Sequence, residues 1–212
     1  AAHRDLHSFP TRRSSDLACP RNGETRARMD FISGYIAVFK DNFTDATRFF
    51  EHAEPGLDPE RRLAARIGRA GALLLTRQTD RAKDLIRLME KETPNAPRFL
   101  MFKTMLAAFS GDLSGASDQA STCAQRFPDN PHFPALKGLI AILLDRPEEA
   151  RNTALQIQAI DPENATAYQI QGHYLADYHH DSEGAVAAVQ KGLSFNKNDS
   201  DLWGTLGWIY MD

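Results

Sequence analysis

The chain has 212 residues, a formal charge of −3 at neutral pH and 25% charged residues. That length suits one ordinary domain or one short repeat array. A mildly acidic chain argues against a nucleic-acid groove, which needs a basic surface. The longest purely apolar run, Leu139–Leu144, is far too short to span a membrane.

The first segment stands apart. His3 to Leu17 is rich in Arg and Ser and has no apolar periodicity. His3-Arg4-Asp5-Leu6 spells the start of a kinase catalytic loop, but the metal-binding Asn required five places after the Asp is Pro10 here. Leu17-Ala18-Cys19 ends like a lipoprotein signal, yet the preceding residues are Arg12-Arg13-Ser14-Ser15-Asp16 rather than an apolar stretch. Arg12 to Ser15 also spells a basophilic kinase site or part of a transit peptide. Another reading accounts for all fifteen letters: residues 3–17 resemble a translated short-read sequencing adapter. Residues 1–17 are therefore expected to be an artefactual, disordered segment with no biological role, although the adapter does not account for Ala1 and Ala2. Residues 18–26 would be a lead-in. Residues 3–17 hold three Arg and two Asp, so the remainder carries −4.

From residue 27 the chain repeats. Pro94, Pro128 and Pro162 are spaced by 34, and so are Ala82, Ala116 and Ala150. Extending backward finds Ala46, with two extra residues in the following linker. Extending forward finds Ala185, after one inserted residue in His179-His180-Asp181. Counting places from 27, 63, 97, 131, 165 and 200, the eighth is Gly34, Ala70, Thr104, Gly138, Gly172 and Gly207. The twentieth, with the inserted residue of the fifth repeat left out of the count, is Ala46, Ala82, Ala116, Ala150 and Ala185. Helices approach closely only where side chains are small, so these places are the expected crossing points. Places 24 and 27 add an apolar stripe of helical spacing, from Phe50 and Ala53 to Val189 and Gly192. Turn signals separate the helices: Asp41-Asn42, Gly111-Asp112 and Asp145-Arg146-Pro147. Asp145 is expected to cap the next helix with Pro147 in its first turn.

The pattern predicts helices over 27–40, 44–57, 63–76, 79–92, 97–110, 113–126, 131–144, 147–160, 165–178 and 182–195, and one from about 200. Trp203, Leu206, Trp208 and Ile209 would need a further helix to cover them, which suggests a fragment of a longer protein. The period and the run Leu202-Trp203-Gly204-Thr205-Leu206-Gly207-Trp208-Ile209-Tyr210 resemble the tetratricopeptide repeat, as does the junction Asp161-Pro162-Glu163-Asn164-Ala165. The resemblance covers residues 27–212, with repeats at about 27–62, 63–96, 97–130, 131–164 and 165–199 and a partial one at 200–212. It implies an all-α, right-handed solenoid of five helix–turn–helix units plus part of a sixth.

The resemblance also implies a groove lined by places 2, 5, 9 and 12 of each first helix. The expected contact residues are Phe31, Tyr35, Ile67, Met101, Met105, Leu139, Ile142 and His173. The groove reads as apolar through four repeats and polar in the fifth, where Thr166, Gln169 and His173 stand. Flexible Met side chains suit adaptable contacts with a peptide or amphipathic helix. The competing reading is that these residues are core. Two specialisations of the family are missing. Phe31, Tyr35 and Met101 replace the carboxylate-clamping residues, and Ile32, Gly68 and Phe102 replace an Asn ladder.

Little else suggests chemistry. His173, His179, His180 and Asp181 form a histidine cluster, read here as a solvated turn rather than a zinc site. Cys123 reads as a core thiol. Glu51, Glu54, Glu90 and Glu92 read as charges on solvated helix faces. No catalytic motif is visible, and no cofactor is expected. The expected function is a protein-interaction scaffold or adaptor. The alternative is the substrate-binding or regulatory arm of a larger transferase or peptidase. RNA binding is disfavoured because the groove is apolar. The excess of Arg over Lys suits a GC-rich bacterial genome, and cytoplasm and periplasm both stay open.

Overall fold

The structure, a computed structural model, describes residues 23–211. The adapter-like segment, most of the lead-in and Cys19 lie outside the described residues. Among the described residues there are eleven α-helices and no strand. They are α1 (Gly23–Phe39), α2 (Phe43–Ala53), α3 (Pro59–Leu75), α4 (Thr79–Glu92), α5 (Pro97–Phe109), α6 (Leu113–Arg126), α7 (His132–Leu143), α8 (Pro147–Ile160), α9 (Ala165–His173), α10 (Ser182–Phe195) and α11 (Ser200–Ile209). No helix is long and apolar enough to cross a membrane. The chain divides into two compact units, one ending at Glu92 and one starting at Thr93.

The first unit packs α1 on α2, α2 on α3 and α3 on α4. Phe50 explains its tightest point. A methyl group at Gly34 or Gly68 would come within 2.6–2.7 Å of the Phe50 ring, so only glycine lets the ring sit between α1 and α3. The two extra linker residues predicted after α2 are absorbed locally. A 3₁₀ turn at Glu54–Gly56 follows α2, and α3 starts four residues before its predicted place. The reason is a strong start signal: the Asp58 side chain accepts from the Arg61 N–H, and Pro59 opens the helix.

In the second unit each hairpin packs its own pair, and the first helices also touch in sequence: α5 with α7, α7 with α9, α9 with α11. The predicted crossing points are there. Ala46, Ala82, Ala116, Ala150 and Ala185 are all fully buried, as is Thr104, whose hydroxyl donates to the Leu100 carbonyl at 3.0 Å. Gly207 differs from its counterparts: it is exposed, with open space around it. Leu206 and Ile209 are already covered, with Leu202 and Val189 in their cluster, so of the four residues expected to need a further helix only Trp203 is largely exposed.

The turn between paired helices follows one rule. Asp41, Arg77, Gly111 and Asp145 all occupy place 15 and all have positive φ, between 54° and 90°. In each, the next N–H reaches back five residues, as from Asn42 to Ala37 at 2.9 Å. This is the left-handed helix stop that satisfies two orphan carbonyls. Asp145 therefore does not cap α8 as expected: its backbone serves the stop of α7, and Arg146 holds the cap position without a side-chain bond. The caps made by side chains are Asn42, Asp112 and Asp181, each one residue later.

The fifth turn contains the inserted residue, and the structure shows where it goes. Tyr174–Tyr178 forms a π-helical turn, the left-handed residue shifts to His180, and the Asp181 N–H reaches back six residues to Leu175 at 3.0 Å. The widening lies upstream of the predicted loop. Buried donors and acceptors must be paired, and a wider helical turn does that better than a bulging loop. Its two tyrosines reach the preceding hairpin: Tyr174 donates to Glu148 at 3.3 Å. Burial, and then the hydrogen-bonded Asp145 carboxylate, push the Tyr178 phenol pKa up.

Candidate functional site

The face in question is the one the first helices turn away from their partners. Places 2, 5, 9 and 12 range from exposed (Arg98, Met105, His132) through half-buried (Phe31, Tyr35, Ile67, Met101, Leu139) to buried (Ala64, Ala135, Ala176), whereas place 3 is buried in every first helix after α1: Ala65, Phe99, Phe133, Ala167 and Leu202. In α1 place 3 is Met29, exposed at 53%, and Ile32 and Ile36 on the same helix are exposed at 58% and 48%.

Within the first unit, Phe31 and Tyr35 lie together on the core rather than free in a groove. Their rings meet edge to face at 5.1 Å, and Tyr35 meets Phe50 likewise at 5.2 Å. Both keep one side toward solvent, as does Ile67 on α3. Gly71, at place 9 of α3, has nothing within 4 Å of where a side chain would begin.

Within the second unit, Met101, Leu139 and Ile142 are half-buried and Met105 is exposed. Met101 packs on the Cys123–Phe133 cluster, and Leu139 and Ile142 on the Ala141–Ile170 cluster. Each residue is thus partly core and partly surface. Burial pushes the Cys123 thiol pKa up, with Arg126 opposing weakly, so this thiol is a core group.

Four strongly exposed apolar side chains share a place outside the expected groove. Place 13 is Phe39 and Leu75 in the first unit, exposed at 86% and 64%. In the second unit it is Phe109 and Leu143, at 85% and 66%. At 100° per residue, place 13 falls between places 2, 6 and 9 on the same face. Inspecting place 13 in each repeat would have found them.

At the α9–α11 end of the second unit the chemistry changes. Gln169, His173, Asp201, Gly204, Thr205 and Trp208 line an open cleft of about 280 Å3. The His173 ring lies 5.2 Å from the Trp208 indole. Its Nδ1 is 3.5 Å from an Asp177 carboxylate oxygen and its Nε2 is 3.5 Å from the Thr205 hydroxyl. His179 packs elsewhere, against Tyr174 at 4.6 Å. Among the described residues no group of three His, Cys, Asp or Glu could hold a metal ion. Asp201 and Gly204 occupy places 2 and 5 of the partial sixth repeat, which the sequence reading did not extend to.

The acidic residues of the first unit need a correction. Glu54 is not a solvated charge: it pairs at 3.1 Å with both Arg66 and Arg69, and its side chain is 15% exposed. Arg66 also pairs with Glu92, and Arg69 with Glu51. Burial works against the Arg66 charge, but the hydrogen bonds to Glu92 and Glu54 outweigh it and raise its pKa. The signal was Arg at places 4 and 7 of α3.

Comparison with solved structures decides the fold. TTC0263, a thermophilic tetratricopeptide-repeat protein of Thermus thermophilus, matches with a TM-score of 0.68 at 18% identity, over 88% of this chain and 100% of that one. The fold is that of the tetratricopeptide repeat. Yeast Tom70 matches with a TM-score of 0.71 at 14% identity over 88% of this chain, and the APC/C hetero-tetramer Cut9–Hcn1 with 0.67 at 18% over 93%. This chain spans 39% and 38% of those two chains. No family model matches the sequence, and no curated protein matches it.

Proposed function

We propose that this tetratricopeptide-fold chain is a protein-interaction scaffold, and that the face of its first helices receives an apolar peptide or amphipathic helix of a partner. One observation carries the reading. In the second unit, exposed Phe109, Leu143 and Met105 stand beside half-buried Met101, Leu139 and Ile142 on one face. Exposed apolar side chains that share a face mark binding surfaces, and Met adapts to varied partners. In the first unit, taken by itself, Phe31, Tyr35 and Ile67 hold the equivalent places of α1 and α3 and are read in the same way. The APC/C neighbour stands in a hetero-tetramer with a different protein, which fits a scaffold role.

The test is fluorescence anisotropy with a labelled Leu-rich amphipathic helical peptide. Covering one large apolar side chain is worth roughly 1.5–3 kcal/mol, and about 1.4 kcal/mol is tenfold in Kd. Met105→Asp with Leu143→Asp is expected to weaken binding at least about tenfold without lowering the melting temperature. Unchanged binding in that variant, with loss in Leu155→Asp on the exposed side of α8, would refute the proposal. RNA in a filter-binding assay at low salt is expected not to be retained.

A further inference from the structure

The cleft at the α9–α11 end of this face carries a more specific message. We propose that it is a subsite for a basic side chain, lysine or arginine, of the bound peptide. This rests on the groove reading above and adds a selectivity to it.

Four observations converge on a cationic occupant. First, there is room. The fifth place of α11 is Gly204, where nothing lies within 4 Å of the missing side chain, while the fifth places of α5 and α9 hold Met101 and Gln169. Second, the wall is aromatic. Trp208 stands at the ninth place, held against His173, and the indole face is the strongest aromatic partner for a cation. Third, the polar groups are unused. The Asp201 carboxylate is exposed and the Gln169 amide is half-buried, and neither side chain has a partner among the described residues. Other polar groups nearby are engaged: the Thr205 hydroxyl donates to the Asp201 carbonyl at 2.9 Å, and His173 faces Thr205 and Asp177. Fourth, Asp177 adds a second, half-buried carboxylate behind the His173 ring, placed there by the π-helical turn.

An apolar side chain would desolvate Asp201 and Gln169 without pairing them, which is costly. An acidic one would meet the Asp201 carboxylate, with the Asp177 carboxylate behind His173 adding to the repulsion. A lysine or arginine lays its methylenes over Trp208 and Gly204, brings its charge to Asp201, and donates to the Gln169 carbonyl oxygen. The face is thus apolar over α5 and α7 and cation-selective over α9 and α11. It fits an apolar peptide segment that carries a basic residue at one end.

The test uses the full chain and one apolar amphipathic peptide framework with Arg, Lys, norleucine or Glu at a single terminal position, placed in turn at either end. Affinity is read by anisotropy. A Trp203→Phe background lets tryptophan emission report Trp208 alone. The Arg and Lys peptides are expected to bind at least about fivefold more tightly than the norleucine peptide at low salt, with an advantage that shrinks as salt screens it. They are also expected to shift the Trp208 emission. Asp201→Asn, an exposed and nearly isosteric change, is expected to erase the advantage and leave norleucine binding intact. Equal binding of all four peptides overturns the subsite and leaves the scaffold proposal standing. An Arg advantage that survives Asp201→Asn, or tightest binding by the Glu peptide, also overturns it. Failure of every peptide to bind overturns both.

Discussion

On one and the same helix face, α5 and α7 present Met101, Met105, Phe109, Leu139, Ile142 and Leu143, whereas α9 and α11 present Gln169, His173, Asp201 and Trp208. The scaffold beneath barely differs. Ala116, Ala150 and Ala185 are equally buried at place 20, and Phe133, Ala167 and Leu202 at place 3. In a repeat fold the inner places are fixed by stacking on neighbours, while the open face is free to vary. The two halves also differ in their turns: Gly111 and Asp145 sit in regular stops, and the fifth turn is widened by one residue.

The contrast can be tested at several strengths. The largest effect should come from the shared scaffold. A side chain at Gly138 would begin 2.5 Å from Ile170 and 3.1 Å from Thr153, so Gly138→Leu should cost roughly 1–3 kcal/mol or more, read as a lowered midpoint in urea. Next is the widened turn. Deleting His179 should restore the five-residue stop of the other turns and move Asp177 away from His173. Affinity for the norleucine peptide should persist while the preference for Arg falls, a split that a simple loss of folding would not give.

Smaller effects concern the turns alone. Arg77 has φ of 60°, a conformation that costs a side-chain-bearing residue about 1 kcal/mol. Arg77→Gly should therefore raise or hold stability, with the gain limited to under about 1 kcal/mol. His180→Gly, at φ of 52°, should behave in the same way. The smallest effect is one of pH. The hydrogen bond from the Arg61 N–H, more than the Arg61 side chain, holds the Asp58 pKa below its ordinary value. A depressed pKa adds stability above the ordinary carboxylate range, and that stability is lost as pH falls through the depressed value. The melting-temperature gap between the wild type and Asp58→Asn should close below about pH 4.

Much of the architecture was legible from spacing. A fixed period, small residues at places 8 and 20 and a proline after the second, third and fourth pairs specify helical hairpins, because each feature answers a packing or hydrogen-bond need. The boundaries of α4, α6, α8 and α10 agree with the sequence reading to the residue. Less visible was the way the chain absorbs irregularities. The insertion near His179 could be counted, but its widening upstream at Tyr174–Tyr178 depends on backbone pairing. Asp145 reads as a cap by residue type, yet the left-handed position at place 15 claims it. The candidate face was half legible. Places 2, 5, 9 and 12 include Met101 and His173 of the face proposed above, while Phe109, Leu143, Asp201 and Gly204 lie at a place or in a repeat that the template omits.

The most direct test of the central claim is a methyl-NMR titration of the full chain with the Leu-rich amphipathic peptide. The account predicts saturable shifts at Met101, Met105, Leu139, Ile142 and Leu143, with Leu155 on α8 unmoved. Shifts centred on Leu155, with the first-helix methyls still, would contradict it.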